Sequence, residues 1–209
     1  MWNRGYGAKE AGDAEAVALV DLARTAQFFP PEQQEKLRGD LICYARAVAF
    51  DEWPLLEDGP RSDVVERWLV ALRDAYGALD TGTPKQQAAF GHLLEVTCAR
   101  GEARRERLSA ATPIVPSPVW AVLLFGGLVT IMFVALFADR REAAPIQVAL
   151  IMSMAVMVVA GLLLVRFLDH PYGGTSGSIE PTEMKRTISI VDRTYPGERL
   201  CDSRGHPRT

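Results

Sequence analysis

The apolar residues fall into two regimes along the chain. Up to about residue 112 they recur every three or four positions among charged residues, and from residue 119 they run almost without interruption. In the first regime Leu19, Leu22, Ala23 and Ala26 share one face of a helix expected to begin at Asp13. Residues 1–12, rich in Gly and charge, are expected to be a flexible N-terminus. Phe28, Phe29 and Pro30 end that helix. Pro31 and Glu32 then suit the first turn of the next, where a missing N–H costs nothing and a carboxylate meets the positive end of the helix dipole. This second helix, 31–50, carries Leu37, Leu41, Tyr44, Ala45 and Val48 as its stripe. Asp51, Glu52, Trp53 and Pro54 close it, because a proline disfavours αR geometry in the residue before it. A third helix follows the N-cap Ser62 with Val64, Trp68, Leu72, Ala75, Tyr76 and Leu79 at helical spacing. A fourth starts near Pro84, shows Phe90, Leu93, Leu94 and Thr97 on one side, and runs through an arginine-rich stretch to Ser109. No segment alternates with strand period, so residues 13–112 are expected to form a helical region of about four helices around one core.

The second regime holds two stretches of twenty residues, 119–138 and 146–165, that contain no charge. Twenty residues at about 1.5 Å each span roughly 30 Å, the hydrocarbon thickness of a bilayer. Neither stretch keeps the polar face of a soluble core helix. The first has only Thr130 and the indole of Trp120, the second only Gln147 and Ser153. Joined by the charged turn 139–145, they form a transmembrane hairpin within 113–170. The tail, 171–209, is polar and Pro-rich and is expected to be mostly irregular, with Thr187–Val191 either extended or disordered. The fold class is therefore all-α: a cytoplasmic helical bundle, a transmembrane hairpin and a tail.

Charge sets the sides. A hairpin places both flanks together. Arg100, Arg104, Arg105, Arg107, Arg166, Lys185 and Arg186 flank it, against Arg140 and Arg141 in the turn. The positive-inside bias puts the helical region and the tail in the cytoplasm, at the inner membrane. The arginine run is expected to anchor at anionic headgroups. The net charge of −3 leaves no basic domain for nucleic acid. Cys43, Cys98 and Cys201 show no disulfide or zinc spacing and are expected to be thiols on a reducing side, the first two as small core residues.

Candidate chemistry is sparse. No nucleophile elbow, P-loop, HExxH or CxxC occurs, and His92, His170 and His206 lack ligand spacing, so no catalytic residue, metal or cofactor is expected. The pairs Asp51-Glu52 and Glu57-Asp58 stand at loop-like positions and are expected to be solvated. No ionisable side chain lies within either span, which argues against a proton relay.

Tyr44-Ala45-Arg46 followed by Asp51-Glu52-Trp53-Pro54, together with Leu168-Asp169-His170-Pro171-Tyr172-Gly173-Gly174, Ile179-Glu180-Pro181 and Met184, form a moderately specific set. Over roughly 13–186 the chain resembles the bacterial bestrophin-like membrane family. The resemblance implies a homo-oligomer, a bilayer, and an anion as partner of a distantly channel-like protein. Members carry further transmembrane helices ahead of the cytoplasmic region, whereas Met1 here stands almost directly at it. The expectation is accordingly an anion-channel-like protein or a truncated relic. The alternative is a non-transporting helical scaffold or sensor tethered by the hairpin. The residues matching the motif, Glu52, Trp53, Pro54, Asp169, Pro171 and Gly173, are expected to be structural, with the turn after the second span docking near Trp53.

Overall fold

The computed structural model describes residues 2–56, 62–112, 115–136, 144–169, 172, 179–196 and 200–208, the side chains of 2–6, 144 and 168 excepted. The turns expected at 57–60 and 139–143, and Pro113, lie outside the described residues. Every regular element among those described is helical, apart from one isolated antiparallel bridge between Cys201 and Pro207. The chain forms two compact units, Met1–Thr112 with Pro171–Thr209, and Pro113–His170.

In the first unit, α1 (Trp2–Thr25) packs chiefly on α5 (Pro84–Ala111), and α2 (Pro31–Ala47) on α4 (Asp63–Gly77). The expected stripes are its core: Leu19, Leu22, Leu37, Leu41, Tyr44 and Leu72 are essentially without exposure, as is Val65 beside them. Ser62 caps α4 by accepting from the amides of Val64 and Val65 at 3.1 and 3.2 Å. Thr83 and Gln86 form a reciprocal capping box at the start of α5.

Several expectations are corrected here. The helix is already formed at Trp2 rather than beginning at Asp13, so 2–12 is not a loose segment. Ala8 and Ala11 are buried, and a Cβ on Gly12 would stand 3.0 Å from the Trp53 ring; small residues let this end of α1 approach its neighbours closely. Pro54 does not end α2 by expelling Trp53 from αR, since Trp53 has φ −58° and ψ −43°. Instead α2 continues through a π turn, Val48–Glu52, into the short α3 (Trp53–Leu55). The Trp53 amide reaches the Val48 carbonyl. This wider turn makes room for a proline ring that would crowd an ordinary α turn.

The tail contains a helix that its sequence did not announce. Residues Thr182–Thr194 form α8, and Met184, Thr187, Ile188 and Val191, at helical spacing, are its buried face against α1 and α2. Thr187–Val191, expected as extended or disordered, lies within this helix. Cys43 and Cys201 are joined in a disulfide rather than free, and Cys98 is an exposed thiol, not a core residue. Leu94 also faces outward, 44% exposed.

In the second unit, α6 (Ser117–Leu136) and α7 (Ala144–Asp169) pack on each other. Gly127 permits their approach: a Cβ there would lie 2.8 Å from Val158 Cγ1. The Asp169 carboxylate accepts from the Val115 amide at 3.0 Å, joining the chain before α6 to the end of α7.

The Ser62 hydroxyl also donates to Asp51, so it ties the start of α4 to the π turn. Ser62→Ala is expected to destabilise the helical unit by about 1–2 kcal/mol, the usual cost of losing a cap. Denaturant unfolding followed by tryptophan fluorescence measures it, and no change would mean water replaces the cap.

Candidate functional site

The buried face of α5 begins as Ala89, Leu93 and the partly buried Val96. At the same helical spacing it continues as Arg100, Ala103, Arg104, Arg107 and Ala110. The arginines therefore point into the unit instead of lying at a membrane surface: they are 6%, 6% and 0% exposed. That overturns the anchoring role expected for this run. Only Arg105, paired loosely with Glu102, remains solvated among the four flank arginines.

Carboxylates meet them from α1, from the π turn after α2 and from α4. Glu15 of α1 accepts from Arg107 Nε at 2.7 Å and from the Tyr44 hydroxyl. Glu52, at the end of the π turn, accepts from Arg107 Nη2 at 2.7 Å and from Arg104 Nη1 at 2.8 Å on each oxygen. Glu66 of α4, half exposed, takes Arg104 Nη2 at 2.9 Å. Glu52 is thus fully buried, not solvated as expected, and Asp51 beside it is hydrogen-bonded to Ser62. Arg100 lies over the Tyr44 ring at 4.9 Å, and Arg107 over the Trp53 ring at 5.0 Å. Trp53 donates its indole N–H to the Ile179 carbonyl at 2.9 Å and meets the Tyr172 ring edge to face at 5.6 Å.

The electrostatics follow from burial and pairing. Burial alone would raise the Glu15 carboxyl, but the Arg107 charge and the hydrogen bonds from Arg107 and Tyr44 outweigh it and hold it below its ordinary range. Burial and the Glu15 charge push Tyr44 well up, so it stays a neutral donor. Burial pushes Tyr172 up to about 12. For Arg107, burial opposes the charge while Glu15 and Glu52 favour it more strongly, so its affinity for the proton rises. These pairings hold helices in register, although Arg107 Nη1 and Arg100 Nε and Nη1 are buried without a hydrogen-bond partner among the described residues.

Of the six motif residues, Glu52 and Trp53 come together at this network. Pro54 is exposed in α3 beside them. Asp169 belongs to the other unit, and Pro171 and Gly173 lie outside the described residues. Sequence reasoning missed Glu15, Arg100, Arg104 and Arg107. The signal was phase: Glu15 falls on the Ala8, Ala11, Leu19, Leu22 face, and Glu52 follows Leu37, Leu41, Tyr44 and Val48 at steps of three or four. A separate groove of about 460 Å³ between α1 and α8 is lined by Val17, Val20, Ile190 and the charges of Asp21, Arg24 and Glu183 among others.

Glu52→Ala removes the one carboxylate shared by two buried guanidinium groups and is expected to cost about 3–5 kcal/mol, whereas Glu66→Ala at the rim should stay within about 1 kcal/mol. Equilibrium unfolding in detergent compares them; equal effects would mean the network is hydrated. A carboxyl held below its ordinary value, 4.5 for Glu15, gives stability that is present above that value and lost as pH falls through the folded one. Thermal stability should therefore decline below about pH 4.5, and Glu15→Gln should flatten that decline.

Among the described residues no group of three or more His, Cys, Asp or Glu could hold a metal ion. No curated protein and no solved structure matches the chain. The family model of the Bestrophin-like domain matches residues 1–184, which include the whole buried network and both apolar helices. That membership, rather than any missing site, sets the chain among non-enzymatic proteins. The chain belongs to the Bestrophin-like domain family.

Proposed function

We propose that the chain is an integral inner-membrane subunit whose copies assemble into an anion-permeable oligomer. The reading is carried by a family match that includes two helices, Ser117–Leu136 and Pro145–Phe167, each long and apolar enough to cross a bilayer. At 20 and 23 residues they measure roughly 30 and 35 Å. Their side chains are bare, Leu136 and Met157 at 74% exposure. So much continuous apolar surface is costly in water and not in lipid.

The helical unit is cytoplasmic in this reading. Arg105, Arg166, Lys185 and Arg186 are exposed, and only Arg140 and Arg141 stand between the two apolar stretches in sequence. The bias acts on the chain as it inserts, so the buried arginines count there too. The bilayer is the partner of α6 and α7, an anion the partner of the assembly, and the motif residues Glu52, Trp53, Pro54, Asp169, Pro171 and Gly173 are structural supports.

One observation favours a second reading, a tethered scaffold or sensor that transports nothing. Thr130 donates its hydroxyl to the Gly126 carbonyl, and Ser153 to the Leu150 carbonyl, both at 2.8 Å. Hydroxyls bonded back into their own helices do little to line a pore. A permeation path thus requires surfaces formed between copies.

The chain should resist carbonate extraction from membranes, and recovery as a soluble monomer without detergent would reject both readings. In proteoliposomes, cross-linkable oligomers with halide flux above empty vesicles are expected for the channel. Oligomers or monomers without flux would leave the tether.

A further inference from the structure

Residues 200–208 form a short strap on α2 and α4, beyond the last residue of the family match. Cys201 is bonded to Cys43 in α2, and both are fully buried. Most of the strap's other hydrogen bonds are internal. Asp202 N donates to the His206 carbonyl and Arg208 N to the Leu200 carbonyl, each at 2.9 Å, while the Asp202 carboxylate caps the amides of Arg204 and His206. These would survive its release. Its polar ties to the rest of the unit are few: Trp68 Nε1 to the Gly205 carbonyl at 2.6 Å, Arg46 Nη1 to the Asp202 carbonyl at 3.2 Å, and His206 Nε2 3.4 Å from Asp51 Oδ1. Gly205, at φ +87°, lies so close to α2 that a Cβ would stand 2.3 Å from the Ala47 amide. By contrast α8 is held independently, through Arg46 to Asp192 at 2.9 Å, Thr187 to the Ala16 carbonyl, and its apolar face.

We propose that this strap is a redox-released cover: the Cys43–Cys201 bond holds it down, and reduction lifts it from the Cys43, Ala47 and Trp68 face while the helical unit stays folded. The reductant is a dithiol. Its thiolate attacks one sulfur, the Cys43–Cys201 bond breaks, and the departing thiolate takes a proton. The reductant's second thiolate then displaces the other cysteine, which is likewise protonated. The two electrons come from the dithiol, which leaves as its disulfide. Because both sulfurs are buried, local opening of the strap precedes attack. On the cytoplasmic side proposed above, thiols are kept reduced, so the strapped form is the oxidised response. The release itself does not depend on that placement.

The test uses the full chain in detergent, with dithiothreitol as the probe. In air-oxidised protein, maleimide should label Cys98 and neither Cys43 nor Cys201. After reduction, trypsin cleavage following Arg204 should rise at least ~10-fold, while cleavage within α5 stays unchanged. Cys201→Ser should show the same pattern without reductant, and Trp68→Phe, which removes the Gly205 hydrogen bond, should speed reduction. Free Cys43 and Cys201 in the oxidised protein would overturn the proposal. So would unchanged cleavage after Arg204, or loss of protection in α5, which would make the bond a structural staple.

Discussion

One guanidinium constrains three helices. Arg107 has no exposed surface, and its Nε and Nη2 are divided between Glu15 on α1 and Glu52 at the end of the α2 π turn. Apolar side chains of similar size could stabilise the same space as well or better, because removing charges from water offsets much of what pairing returns. What the pairing supplies is selectivity. Sliding α5 by one turn would strand a buried charge, Arg107 in one direction and Glu15 in the other, a penalty of several kcal/mol that apolar packing alone would not impose. The register of α1, α2 and α5 follows from that intolerance. The π turn has its place in the same argument, since it carries Glu52 inward and leaves Trp53 under Arg107 with its indole N–H directed at the tail.

The fold of the first 112 residues was largely legible because three of its helices obey a plain apolar period. Leu37, Leu41, Tyr44 and Val48 sit where spacing places them, and Ser62 caps where a serine before an apolar run should. The network was illegible to the same rule because a two-letter alphabet writes Arg and Glu as surface. Leu94 was placed inward for the complementary reason, being apolar yet out of phase with Ala89, Leu93 and Arg100. Phase, not polarity, separates the inner face of α5 from its outer one. Pro54 misled in another way: the local rule for the residue before proline was overridden by one extra residue in the turn ahead of it.

The tail resisted reading for want of local signals. Cys43 and Cys201 are 158 residues apart, and nothing in the spacing of three cysteines pairs two of them. The apolar residues of α8 are few, Met184, Ile188 and Val191, and Thr187 completes the buried face through its methyl and its hydrogen bond to Ala16. So short a stripe after a Pro- and Gly-rich stretch resembles disorder until α1 and α2 are present to cover it. The last two basic residues of the hairpin's C-terminal flank, Lys185 and Arg186, are the exposed side of that helix.

That placement bears on the apolar pair. Residues on both sides of 113–170 belong to one compact unit, tied by α8 on α1, by Trp53 to Ile179 and by the disulfide. A chain that leaves such a unit and returns to it can cross a bilayer only an even number of times. The charge count among flanks is a statistical bias. This closure is a covalent and packing constraint that holds whichever side faces the cytoplasm. It also explains why Asp169 holds the Val115 amide at the open end of the hairpin: two segments that start and finish in the same unit run side by side there, and a carboxylate can satisfy a backbone donor that no helix accommodates. Two helices and one closed base are the smallest arrangement consistent with both the apolar lengths and the return of the tail.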